Sequence, residues 1–252
     1  MIKKFLCAAV GIGALIAVWH AVATLGGYNE HLFPPPLKAF YGVHELMASG
    51  MLWNSIGISM LRFFIGYISS AALGMILGMF FGYFEGAWQF VNPVVQILRP
   101  ISPIAWLPFV VLWFGIGEIS AIAIVFIAAF FPVLLNTVSS VSKINKTYFK
   151  IAENFGLSKL STFTKIIFPA AFPHIASGLH IAIGTAWVFI VAGEMIGAQS
   201  GMGFLVVDTR NNLRIDLLMA AILIIGLLGL ALDSIVIFLE WLIYKKWGAV
   251  SK

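Results

Sequence analysis

Six runs of this chain are long and apolar enough to cross a lipid bilayer, and nothing else in the sequence constrains the fold as much. The hydrocarbon core of a bilayer is about 30 Å thick and takes roughly 20 helical residues at 1.5 Å each. Phe5–Leu25, Phe63–Phe84, Val91–Phe114, Ile119–Val138, Ile175–Ile196 and Leu217–Leu239 reach that length. Lipid offers no partner to backbone N–H and C=O groups, so spanning segments of this kind are helices. The expected fold class is therefore an all-α integral membrane protein, with six transmembrane helices in a single transmembrane domain over residues 1–252. Composition agrees: 10% of residues are charged, against roughly 25% in soluble domains. That excludes a soluble enzyme, a disulfide-stapled module and a disordered tail. The lone Cys7 can form no disulfide within the chain and is not a credible metal or redox site. The net charge of +5 points to cytoplasmic loops, not to nucleic acid.

Lys3-Lys4, the apolar stretch and Ala21-Val22-Ala23 resemble a secretory signal. The stretch exceeds the roughly 7–15 apolar residues of such signals, so a retained anchor is expected. Basic residues set the orientation. Lys3 and Lys4 precede the first span; Lys143, Lys146, Lys150, Lys159 and Lys165 separate the fourth and fifth; Lys245, Lys246 and Lys252 follow the sixth. Six crossings put these three segments on one side, while Lys38, Arg62, Arg210 and Arg214 lie on the other. Positive residues favour the cytoplasm, so both termini and the Lys-rich loop are expected inside.

Pro34-Pro35-Pro36 precedes a stretch in which Phe40, Val43, Leu46 and Met47 recur at helical spacing. It reads as an external helix lying on the membrane surface, over about residues 36–50. In the second span Gly66, Ser70, Gly74, Gly78 and Gly82 fall four apart. That stripe of small residues admits another backbone closely, most simply a helix of the same chain, with pairing between subunits as the alternative. Gly178, Ala182 and Ala186 repeat the device in the fifth span. The third span carries Pro93, Pro100, Pro103 and Pro108, and a membrane helix tolerates such interruptions only inside a bundle or beside a wet cavity. Pro103 and Pro108 are therefore candidates for a translocation path.

Charges within spans are expensive and mark function or pairing. Arg99 and Asp233 sit at similar depth, about 12 Å from the cytoplasmic face, so a structural ion pair between them is one expectation. The other makes Arg99 an attractive charge for an anionic solute on the path. Glu194, near the outer end of the fifth span, lines an external gate or packs. His174 and His180 read as ordinary packing histidines.

Between the fourth and fifth spans the chain runs Tyr148-Phe149-Lys150-Ile151-Ala152-Glu153-Asn154-Phe155-Gly156-Leu157-Ser158, then through Lys159–Ile167 to Phe168-Pro169-Ala170-Ala171-Phe172-Pro173. This reads as a short helix stopped by Gly156 and a second stopped by Pro169, with exposed aromatics suited to docking. The whole loop covers about residues 143–173. Gly156, Ile166 and Pro169 have the spacing of the EAA loop of binding-protein-dependent ABC importer permeases, and the chain resembles that family. Arg99-Pro100-Ile101-Ser102-Pro103-Ile104-Ala105-Trp106-Leu107-Pro108, Trp113-Phe114-Gly115-Ile116-Gly117-Glu118 and Gly193-Glu194-Met195-Ile196-Gly197-Ala198 look like its nitrate/sulfonate/taurine branch. The resemblance covers about Pro34 to Trp247. One departure stands out: the acidic residue naming the motif falls at Lys150, followed by Ile151 and Ala152, with Glu153 three residues late.

The resemblance implies the type I ABC importer permease fold, with a cytoplasmic coupling helix seated on an ATPase. Lys150, Ile151, Ala152, Glu153, Phe155, Gly156, Leu157, Ser158, Ile166 and Pro169 would make that contact. It further implies a cytoplasmic ABC ATPase dimer, a second permease copy, an extracytoplasmic solute-binding protein and a bacterial or archaeal plasma membrane. No Gly-x4-Gly-Lys-Ser/Thr loop occurs in the chain, so no cofactor is expected on it; ATP and magnesium belong to the partner. The solutes implied are small anions such as nitrate, sulfonates or taurine. The rival reading is an ion channel or a secondary transporter independent of ATP, but no matched repeat is evident and the inner loop would go unused. An intramembrane enzyme lacks a His-Glu-x-x-His or triad pattern, and a mere scaffold leaves the prolines unexplained.

Overall fold

The computed structural model describes residues 2–27, 29, 32–145, 147, 148, 154–156 and 158–247. Among them every regular element is helical, as satisfying the backbone in lipid requires. The chain divides into two compact units, Met1–Ile58 with Ser200–Leu228, and Ser59–Gln199 with Gly229–Lys252. The long helices α3 (Met51–Tyr83) and α10 (Ile215–Trp247), numbered here in chain order, contribute residues to both.

The first unit holds α1 (Ile2–Leu25), α2 (Pro36–Ala48), α9 (Met202–Asn211) and the near ends of α3 and α10. Proline at its start pre-sets the first turn of α2. Its face of Ala39, Gly42 and Leu46 is buried, and a methyl on Gly42 would meet the Asp216 carbonyl at 2.9 Å. The four apolar residues expected to share one membrane-facing stripe therefore divide. Leu46 and Val43 join a core with Leu52, Met202, Leu205 and Leu217, while Phe40 and Met47 stay exposed. Arg214 donates to both Glu45 oxygens at 3.0 and 2.6 Å and to Asp216. Asp216 and then Glu45 hold its guanidinium above its already high ordinary pKa.

The second unit contains α4 (Glu85–Leu98), a 3-10 turn (Pro103–Trp106), α5 (Leu107–Phe114), α6 (Glu118–Ser142), α7 (Lys159–Thr162), a π-helical turn (Phe163–Ile167) and α8 (Phe168–Gly197). The small-residue stripe of α3 packs on α6 within the chain. Gly66 meets Val125, Gly74 meets Val133, Gly78 meets Thr137 and Gly82 meets Val141. Both numbers rise together, so α3 and α6 run parallel. On the other face of α6, Gly178 meets Asn136 and Gly193 meets Ile124, which makes α8 antiparallel to it.

The six expected transmembrane helices are not reproduced one for one. Among the described residues four helices are long and apolar enough to cross a membrane: α3, α6, Phe163–Gly197 and Ile215–Leu242. The first run contributes the shorter apolar segment Ala9–Leu25. The third, Val91–Phe114, is bent by 86° between Glu85–Leu98 and Pro103–Phe114. Pro100 and Pro103 interrupt the hydrogen-bond ladder there. The bent pair still carries the chain across, because parallel α3 and α6 require a return between them. Its side chains mark the climb: Trp88 lies against Phe81, Val95 against Leu134 and Val138, and Leu107 and Val110 against Ile124.

Proline 169 does not stop a helix, contrary to the sequence reading. It sits in the first turn of α8, where a missing N–H is tolerated. The π turn before it widens the helix, with Phe168 N–H donating to the Phe163 carbonyl. The fifth span therefore begins earlier than Ile175. Phe163 and Ile167 dock with Met75, Met79, Tyr83 and Val141, where α3 and α6 end.

Candidate functional site

Three features sit in the second unit, spread along the packed α3, α6 and α8. At the end where α6 stops, the segment after it enters α8 through α7 and the π turn. Ser158 caps α7, its Oγ accepting the Ser161 N–H at 3.2 Å. Phe155 is 80% exposed, on a turn closed by Gly156 at φ +63°, a conformation that suits glycine. Ile166 and Pro169 are half-buried in the helical return leg. Lys150, Ile151, Ala152, Glu153 and Leu157 lie outside the described residues.

At the opposite end an ionic cluster joins three helices, with Arg62 and Glu194 buried and Glu118 exposed. Arg62 Nη1 donates to Glu194 Oε1 at 3.0 Å and Nη2 to Glu118 Oε1 at 3.0 Å. Ser59 Oγ lies 2.7 Å from Glu194 Oε2. Glu194 is completely buried, so it is the inward partner of Arg62, not a lining residue of a gate. The sequence reading missed Arg62 because it began the second span at Phe63, one residue beyond the charge. The helix in fact starts at Met51, and a cation well inside an apolar helix was the available sign.

Midway along α6 and α8 lies a partly open cavity of about 330 Å³. Arg99, directly after α4, and Pro103, in the 3-10 turn, reach it from the break. Asn136, Phe131 and Pro132 line it from α6, and Ile181, Thr185 and Phe189 from α8. The Asn136 amide donates to the Pro132 carbonyl at 2.8 Å, and the Thr185 hydroxyl to the Ile181 carbonyl at 3.0 Å. Pro108 is exposed and is not among the lining residues.

The anticipated Arg99–Asp233 pair is replaced. Asp233 Oδ1 lies 2.8 Å from His180 Nε2, and Glu240 Oε2 lies 3.1 Å from His180 Nδ1. The bend turns Arg99 toward α6 and α8, leaving α10 to pair with a histidine that the sequence reading treated as mere packing.

A helical membrane protein with a broken span, a cavity halfway along its central helices and an aromatic-tipped turn at one end is built as a membrane permease. The sequence profile described as "Binding-protein-dependent transport system inner membrane component" matches residues 49–246, and the chain belongs to that family. It is similar to the nitrate import permease protein NrtB of Leptolyngbya laminosa, 37% identical, with 94% of this chain and 87% of that protein covered. The taurine transport system permease protein TauC of Escherichia coli (strain K12) is 30% identical, with 88% and 82% covered. The fold is similar to a chain of the MetNI methionine ABC transporter solved in inward-facing conformations. That match has a TM-score of 0.54 at 18% identity and covers 74% of this chain and 93% of that one. The chain is thus an ABC importer permease, not the ATP-independent channel or secondary transporter considered as its rival.

Proposed function

We propose that two copies of this chain form the membrane pathway of an ATP-driven importer. Each seats its Phe155–Gly156 turn on a cytoplasmic ATPase that binds ATP and magnesium. An extracytoplasmic binding protein delivers a small solute of the nitrate, sulfonate or taurine kind. Both termini face the cytoplasm of a bacterial or archaeal cell. The observation that carries this reading is the exposed Phe155 ring on a tight turn beside a helix that continues, through α7 and the π turn, into α8. An apolar ring in water invites a partner. Because α8 itself carries Ile181, Thr185 and Phe189 of the cavity, tilting at the turn moves the cavity wall as a rigid lever.

The test is gentle purification of the tagged chain from its native membrane. An ATPase is expected in equal amount and is expected to be lost on Phe155→Ala, which removes no buried contact. A chain that emerges alone, and passes ions without ATP after reconstitution, refutes the importer reading.

A further inference from the structure

We infer that the mid-span cavity is an anion-binding site of the permease itself, in which Arg99 and Asn136 hold the solute in transit. The inference rests on the importer reading and adds to it a residue-level selectivity element within this chain.

The argument begins with charge. Arg99 is the charged residue lining the cavity, and no lining residue is acidic. Among the described residues no side chain or carbonyl accepts a hydrogen bond from its guanidinium, in contrast to Arg62 and Arg214, each held by two carboxylates. The cavity lies beside Ala128–Asn136 of α6 and Ile181–Phe189 of α8, near the middle of both helices. Arg99 is itself exposed, and a cation beside the middle of two membrane helices is tolerated where a wet cavity or a counter-charge receives it. The cavity is there, and a transported anion is a counter-charge that the described residues do not supply.

Donor chemistry narrows the ligand. A guanidinium offers five N–H groups in a planar fork that matches a planar or tetrahedral oxyanion. The Asn136 amide nitrogen spends one N–H on the Pro132 carbonyl and keeps a second to donate. Thr185 directs its proton to Ile181, so it contributes an acceptor edge. Phe131, Phe189 and Pro103 make the remaining wall apolar. A volume of about 330 Å³ is at the small end of ligand pockets. Nitrate, or a sulfonate with a short alkyl tail, fits this description; a bulky or cationic solute does not.

The test uses the full chain in phosphatidylcholine nanodiscs, titrated calorimetrically with sodium ethanesulfonate and with ethyl methyl sulfone, its uncharged near-isostere. Wild type is expected to bind the sulfonate and not the sulfone. Arg99→Gln is expected to weaken sulfonate binding at least about tenfold, the loss of one charge-assisted contact, and Arg99→Lys to retain part of it as a point charge. The melting temperature of Arg99→Gln without ligand is expected to match wild type, because no protein partner is lost. Equal binding by Arg99→Gln, binding of the sulfone as tight as the sulfonate, or no sulfonate binding by wild type overturns the site. Those results leave importer function standing if the ATPase still co-purifies; loss of the ATPase partner defeats the importer reading instead.

Discussion

Arg62 Nη1 and Glu194 Oε1 meet at 3.0 Å with both side chains essentially excluded from solvent, and this contact ties α3 to α8 at the end away from the Phe155–Gly156 turn. The same guanidinium reaches Glu118 at the start of α6. Removing one partner of a buried pair leaves an uncompensated charge, at about 3–5 kcal/mol, whereas replacing both with apolar residues is often neutral. Arg62→Met alone should therefore lower the melting temperature strongly, and Arg62→Met with Glu194→Leu should recover much of the loss. Thermal unfolding of the three purified proteins checks this; a double variant no better than the single would show that the contact is not the reason.

The parallel packing of α3 on α6 depends on Gly78. A methyl there would fall 2.5 Å from Thr137 Cβ, while at Gly184 it would meet nothing within 4 Å. Gly78→Ala should cost about 1–3 kcal/mol by overpacking. Gly184→Ala should be neutral or stabilising by about 0.5–1 kcal/mol. Side-by-side unfolding curves decide whether the glycine is needed for its size.

Gly156 has φ +63° but open space around it, so its constraint is conformational. A β-carbon in the left-handed region costs about 1–2 kcal/mol, borne by the turn that presents Phe155. Gly156→Val should weaken ATPase association with little change in melting temperature, and Gly156→Asn should keep more of it. Pull-down yield against unfolding temperature separates the two effects.

Orientation is open to direct labelling, since Cys7 is the sole cysteine. In a Cys7→Ser background, Ser49→Cys should react with an impermeant thiol reagent in intact cells, and Phe155→Cys only after permeabilisation. Both positions are exposed, so a reversed pattern would invert the proposed topology.

Helical periodicity made the α3 stripe readable before any contact was known. Gly66, Gly74, Gly78 and Gly82 fall on one face in any α-helix, and a face of hydrogen atoms has one use in lipid, close approach. The turn at Gly156 was readable for a similar reason, since a glycine acts within its own neighbourhood. The third span was readable only as a disturbance: its prolines foretold a break, but not a bend of 86°. Pro169 misled, because it falls in the first turn of α8, where a missing N–H is tolerated.

The sequence by itself determined a helical membrane protein with its apolar runs, its small-residue stripe and the turn at Gly156. Satisfying the backbone in lipid is a demand that each segment meets alone. Only the tertiary structure decided which charges are paired. Arg62 finds Glu118 and Glu194, Asp233 finds His180, and Arg99 is left facing a cavity. Those partners lie tens of residues apart, and whether two such side chains meet depends on which helix faces come together and where a broken span turns.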